Sequence, residues 1–133
     1  MKFLIEQNPF DNPKEALRDL ELSVRNEFEE WCRLNPRQCI NRVFSGSYFD
    51  YKKDKKGWKV RGSIYFNNMN LNYIPIKFYE VKENFSIAVN PSLKSLKNAP
   101  KIIGKNFYAE ETALTSGEIG KYFKEAEIGG SID

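Results

Sequence analysis

Val60-Arg61-Gly62-Ser63-Ile64-Tyr65-Phe66 has two later echoes, Val81-Lys82-Glu83-Asn84-Phe85-Ser86-Ile87 and Ile103-Gly104-Lys105-Asn106-Phe107-Tyr108-Ala109. A further copy begins as Ile128-Gly129-Gly130-Ser131-Ile132. The openings at 60, 81, 103 and 128 are separated by 21, 22 and 25 residues. A period near twenty is the mark of a stacked repeat. In each full copy the fifth and seventh residues (Ile64 and Phe66, Phe85 and Ile87, Phe107 and Ala109) are apolar between more polar neighbours. Each copy is therefore expected to carry a short strand with one buried face. The residue between them (Tyr65, Ser86 or Tyr108) is expected on the opposite face, toward solvent or a partner. Leu71 and Ile74, then Leu93 and Leu96, then Leu114, are placed to close the core from a return limb. One copy cannot bury its apolar face alone, so the copies should stack and their strands should form a parallel sheet.

The run Leu93-Lys94-Ser95-Leu96-Lys97-Asn98-Ala99-Pro100-Lys101-Ile102-Ile103-Gly104-Lys105-Asn106-Phe107 resembles the short, irregular leucine-rich repeats of bacterial and phage proteins. In those, a Leu-x-Ser-Leu-x-x-x-Pro limb precedes a Val-x-Gly-x-Phe strand. The likeness covers roughly the C-terminal half of the chain. It implies a short solenoid used for protein recognition, as in an accessory or inhibitory factor of phage or bacterial origin. Leucine-rich repeats usually place an asparagine after the strand, where it binds buried backbone groups of neighbouring turns. That position holds Met69, Asn90 and Thr112, with Asn68 or Asn70 as substitutes in the first copy. The third copy departs further, with Gly117 where Ile74 and Leu96 stand, as in a degenerate terminal repeat. An antiparallel meander of evenly spaced strands is the alternative architecture.

The expected fold class is α+β in a single domain: a helical cap over residues 1–37, a β-hairpin over 38–59, and three to four degenerate repeats over 60–133. In the cap, Asn12 precedes Pro13, which suits an N-cap followed by proline at the first helical position, with Glu15 in the first turn. Leu17, Leu20, Val24, Phe28 and Trp31 form one apolar stripe, opposite a solvated face of Arg18, Asp19, Arg25, Glu29 and Arg33. Asn35-Pro36 ends the helix, which should pack over the first repeat. The hairpin arms read as Val43–Tyr51 and Trp58–Phe66, joined by a charged loop, Lys52-Lys53-Asp54-Lys55-Lys56-Gly57.

At 133 residues and 41% hydrophobic content the chain can bury one core of ordinary size. Its net charge of +3 is unevenly spread, net −2 over 1–37, +9 over 38–105 and −4 over 106–133, so the middle suits an acidic partner. No apolar run is long enough to span a bilayer, and Met1–Glu6 is too short for a signal peptide, so a cytoplasmic location is expected. In that compartment Cys32 and Cys39 should be reduced thiols rather than a disulfide. Two cysteines and no histidine cannot supply a zinc site, and no cofactor motif is present. Glu110 and Glu111 are the one adjacent carboxylate pair in the third copy, but successive strand residues face opposite ways, so no enzyme is expected.

Two surfaces remain. In-register stacking should line up Ser63, Asn84 and Asn106; Tyr65, Ser86 and Tyr108; and Asn67, Ala88 and Glu110. Such a face of tyrosines and short polar groups suits binding of another protein. The alternative is nucleic acid, held by Lys52, Lys53, Lys55 and Lys56 with Trp58 or Tyr51 stacking on a base. The last strand, ending at Ile132-Asp133, offers an edge for self-association.

Overall fold

The computed structural model describes residues 27–43 and 51–133. The expected cap residues Asn12, Pro13, Glu15, Leu17, Leu20 and Val24, and the first hairpin arm from 44 to 50, lie outside them. In chain order the elements are α1 (Glu27–Leu34), α2 (Pro36–Val43), β1 (Tyr51–Asp54), β2 (Gly57–Val60), β3 (Ile64–Tyr65), β4 (Phe78–Val81), β5 (Phe85–Ser86), β6 (Ile102–Ile103), β7 (Phe107–Tyr108), α3 (Ser116–Glu125) and β8 (Glu127–Ile128). The class is α+β.

The repeat sets the pairing, with one correction: the first three copies each supply a strand to two sheets, not one. The repeat openings themselves form a parallel ladder β2-β4-β6-β8, in which Val60, Val81, Ile103 and Ile128 are lateral neighbours. The second ladder is β3-β5-β7, again parallel, with Ile64 beside Phe85 and Phe85 beside Phe107. Ile132 continues that row through a bridge to Phe107. Parallel order and register rule out the antiparallel meander.

Between the two ladders lies a three-residue corner in every copy. Its last residue stitches the stack: Ser63 Oγ accepts from the Asn84 N–H (3.1 Å), Asn84 Oδ1 from the Asn106 N–H (3.0 Å), and Asn106 Oδ1 from the Ser131 N–H (2.9 Å). After the second strand the chain turns through a left-handed residue at the same place each time, Asn68 (φ 55°), Val89 (φ 58°) and Glu111 (φ 57°). The next position in the second copy is Asn90, fully buried. Its Oδ1 accepts from the backbone N–H groups of Met69 and Leu71, and its Nδ2 donates to the carbonyls of Phe66 and Ile87 (2.8 and 2.7 Å).

Inside the stack the apolar rows meet. Phe66, Phe78, Phe85 and Phe107 are closed to solvent and pack as tilted, edge-on and stacked rings, with centroids 5.4–6.5 Å apart. The column ends on Tyr122 of α3, whose ring meets Phe107 at 5.2 Å and whose hydroxyl donates to the Pro100 carbonyl. The longer third interval thus accommodates a helix, started by Thr115, whose Oγ1 accepts from the Glu118 N–H.

The N-terminal part differs from expectation in four ways. The chain does not enter a hairpin at residue 38: Pro36, at the first helical position, begins α2, and this helix lies against β3 at the edge of the second sheet. Trp58–Phe66 is not one arm, because the corner at Arg61–Ser63 sends it from the first sheet into the second. The hairpin is the short pair β1–β2, antiparallel, with Lys55 and Lys56 at the turn and Lys52 and Lys53 within β1. Glu29 belongs to the buried face of α1, where Oε2 accepts from the N–H groups of Asn72 and Tyr73 in the first return limb. Phe28 and Trp31 pack half-buried against the core, as their stripe implied. Finally, Cys32 and Cys39 form a disulfide across the α1–α2 junction instead of remaining thiols. The bend at Asn35 explains it, since folding α2 back on α1 brings the two Cα atoms to 4.9 Å. No helix among the described residues is long and apolar enough to cross a membrane.

Candidate functional site

The outward face of β3-β5-β7 gathers the three expected rows, and their environments differ. Ser63, Asn84 and Asn106 are half-exposed, but their side-chain oxygens point along the stack into the ladder of inter-repeat hydrogen bonds. Ser86 (2% exposed) is buried, against the expectation that the middle residue of each strand faces solvent, and Ala88 (7% exposed) is buried although its row was expected on the exposed face. Ser86 sits between Tyr65 and Tyr108 in the register, so a large ring stands on each side of a small side chain. Its hydroxyl donates to Asn67 Oδ1, which fixes the amide of an exposed neighbour.

The groups that reach outward are therefore Tyr65, Tyr108, Asn67 and Glu110. The two tyrosines are half-buried, and their hydroxyls are held by the asparagines that stitch the stack. Asn84 Nδ2 donates to the Tyr65 hydroxyl at 3.2 Å, and Asn106 Nδ2 to the Tyr108 hydroxyl at 3.0 Å. One asparagine side chain thus joins backbone register to ring position. Each hydroxyl keeps its own proton to donate.

The lysine tip is less of a unit than its sequence suggests. Lys55 and Lys56 are exposed at the turn, while the side chains of Lys52 and Lys53 are outside the described set. Trp58 is only 5% exposed and packs in the core, so its ring is not offered to a base. The aromatic ring beside the lysines is Tyr79, with the ammonium groups of Lys56 and Lys59 at 5.1 and 5.7 Å from its centroid. Sequence reading missed Tyr79; the signal was available in its place beside the second repeat opening.

Chemically, the tyrosine face can donate, accept and stack. Glu110 and Glu111 are exposed, and among the described residues no group of three or more His, Cys, Asp or Glu side chains could hold a metal ion. Compared with known proteins, the chain matches no family model, no curated protein sequence and no solved structure.

Proposed function

We propose that this chain is a non-enzymatic recognition module that binds another protein through the outward face of β3-β5-β7. The reading fits the leucine-rich-repeat resemblance, which the buried role of Asn90 supports, and with it an accessory or inhibitory task. The observation that carries it is the pair of tyrosines clamped by Asn84 and Asn106. Rings already held in place lose little rotamer freedom on binding, so more of their contact area is converted to affinity. Asn67, anchored by Ser86, and Glu110 supply directional polar contacts at the border of the patch. The test is affinity capture from the native host with immobilised chain, in parallel with Tyr65→Ser/Tyr108→Ser. A partner captured by the native chain and lost by the double variant, at unchanged melting temperature, is the expected result. Equal capture by both would exclude this face.

A further inference from the structure

Two hollows adjoin at the start of the first sheet and share Lys77 and Asn98 in their walls. One, of about 340 Å³, is bounded by Arg33 of α1 and Lys55 of the β1–β2 turn. The other, of about 590 Å³, is bounded by Lys56, Lys97, Lys101 and Lys121 of α3. Together the walls carry seven basic side chains against two carboxylates, Glu118 and Glu125, in a chain whose net charge is only +3. The repeat is the cause. Lys56, Lys77 and Lys101 each stand immediately before the first residue of β2, β4 and β6, and these strands are consecutive in the sheet. The register staggers them, with Trp58 level with Phe78 but Ile102 level with Glu80, so that Lys101 stands beside Tyr79 rather than Lys77; even so, all three line the same hollow. Like charges so arranged repel, and a bound polyanion relieves that repulsion.

We infer that this groove binds the phosphodiester backbone of single-stranded nucleic acid without reading its sequence. The charges do not converge on one point, as they would for a small anion. They run across two hollows and come from α1, the β1–β2 turn, the residues leading into β4 and β6, and α3. Six of the seven are lysines, compact ammonium charges on flexible stems that suit phosphate oxygens. Just outside the hollows the half-buried Tyr79 ring has the ammonium groups of Lys56 and Lys59 over it, at 5.1 and 5.7 Å from its centroid. A base stacking there would take the place of an ammonium group, which would then meet a flanking phosphate. Neither Tyr65 nor Tyr108 lines either hollow, so this assignment and the protein-binding face stand or fall separately.

The test is fluorescence anisotropy of the full chain with a labelled oligo(dT) of about twenty nucleotides, at about 50 and 200 mM salt. Neutralising about four phosphates should make binding roughly fifty-fold weaker at the higher salt. Lys77→Glu/Lys101→Glu should lower affinity about tenfold or more at low salt, while Lys94→Glu/Lys124→Glu, exposed lysines outside both hollows, should keep it. Circular dichroism melting confirms that each variant is folded. Absence of binding at low salt, or an equal loss in both double variants, would overturn the inference. So would polyglutamate binding as tightly as oligo(dT), which would assign the groove to an acidic protein segment instead.

Discussion

The side-chain oxygen of Asn90 lies 3.1 Å from the backbone nitrogen of Leu71, nineteen residues earlier in the chain. Through that contact, and the matching one to Met69, the second repeat supplies hydrogen-bond partners that the first cannot make for itself. Asn90→Ala should destabilise the chain by about 3–5 kcal/mol in chemical denaturation, because several buried backbone groups lose partners together. Thr112→Ala, one repeat later, should cost about 1 kcal/mol, since its hydroxyl donates to the Ala109 carbonyl and accepts only a long contact (3.4 Å) from the Leu114 N–H, both within its own repeat. Similar losses at both positions would contradict this division.

Lys82 and Gly104 show how tightly successive corners stack. A Cβ on Gly104 would sit 1.9 Å from the Lys82 carbonyl oxygen, so backbone would have to move. Gly104→Ala should therefore lose about 3 kcal/mol or more. Gly120, inside α3, has nothing within 4 Å of an added Cβ, and Gly120→Ala should gain about 0.5–1 kcal/mol. Thermal melts of the two variants should move in opposite directions; a shared direction would refute the packing.

Val89 occupies the left-handed corner that Asn68 fills in the first repeat. A β-branched residue at φ 58° is strained, whereas asparagine tolerates that region. Val89→Asn should stabilise the fold by about 1 kcal/mol. A loss of stability would mean that the half-buried isopropyl group contributes more than the strain removes.

Burial holds the Glu29 carboxyl above its usual value of 4.5, against the opposing pull of the Asn72 and Tyr73 N–H groups and of Arg33. The folded state then keeps a proton that the unfolded chain has released. Glu29's contribution to stability is complete below 4.5 and is lost as pH rises through its higher folded value. Glu29→Gln keeps an oxygen for the two N–H groups and removes the titration. Over the range above 4.5 its stability should therefore fall less steeply with pH than that of the native chain. Identical pH slopes would remove Glu29 from the account, while Glu29→Ala should cost about 1–3 kcal/mol through the stranded N–H groups.

The stack was legible because burial recurs: a residue that must meet its counterpart in the next copy has to be apolar at each return. Hence the rows at Val60 and Ile64 could be read directly. That the Val60 row forms a sheet of its own, the first, could not, since a two-residue strand such as Ile102–Ile103 shows no alternation. Glu29 was read as solvated because its partners, Asn72 and Tyr73, are more than forty residues away. The Cys32–Cys39 bridge was missed by arguing from compartment, whereas the decisive fact was the bend at Asn35. Two signals were present and unused. Thr115-Ser116-Gly117-Glu118 has the spacing of a helix start, and a lysine precedes three of the strands of the first sheet. Ser63, Asn84 and Asn106 were read as an outward row, but their acceptor atoms are used between repeats.

The central claim is that residues one repeat apart are lateral neighbours in parallel strands. Inter-strand nuclear Overhauser effects on isotope-labelled chain test it most directly. The account predicts amide-to-α-proton contacts linking Ile64 and Phe85 to the strands beside them, consistent with the Ile64 N–H donating to Asn84 and the Phe85 N–H to Asn106. Strong α-to-α contacts among these strands, which antiparallel pairing produces, or no contact between Phe85 and Phe107, would contradict it.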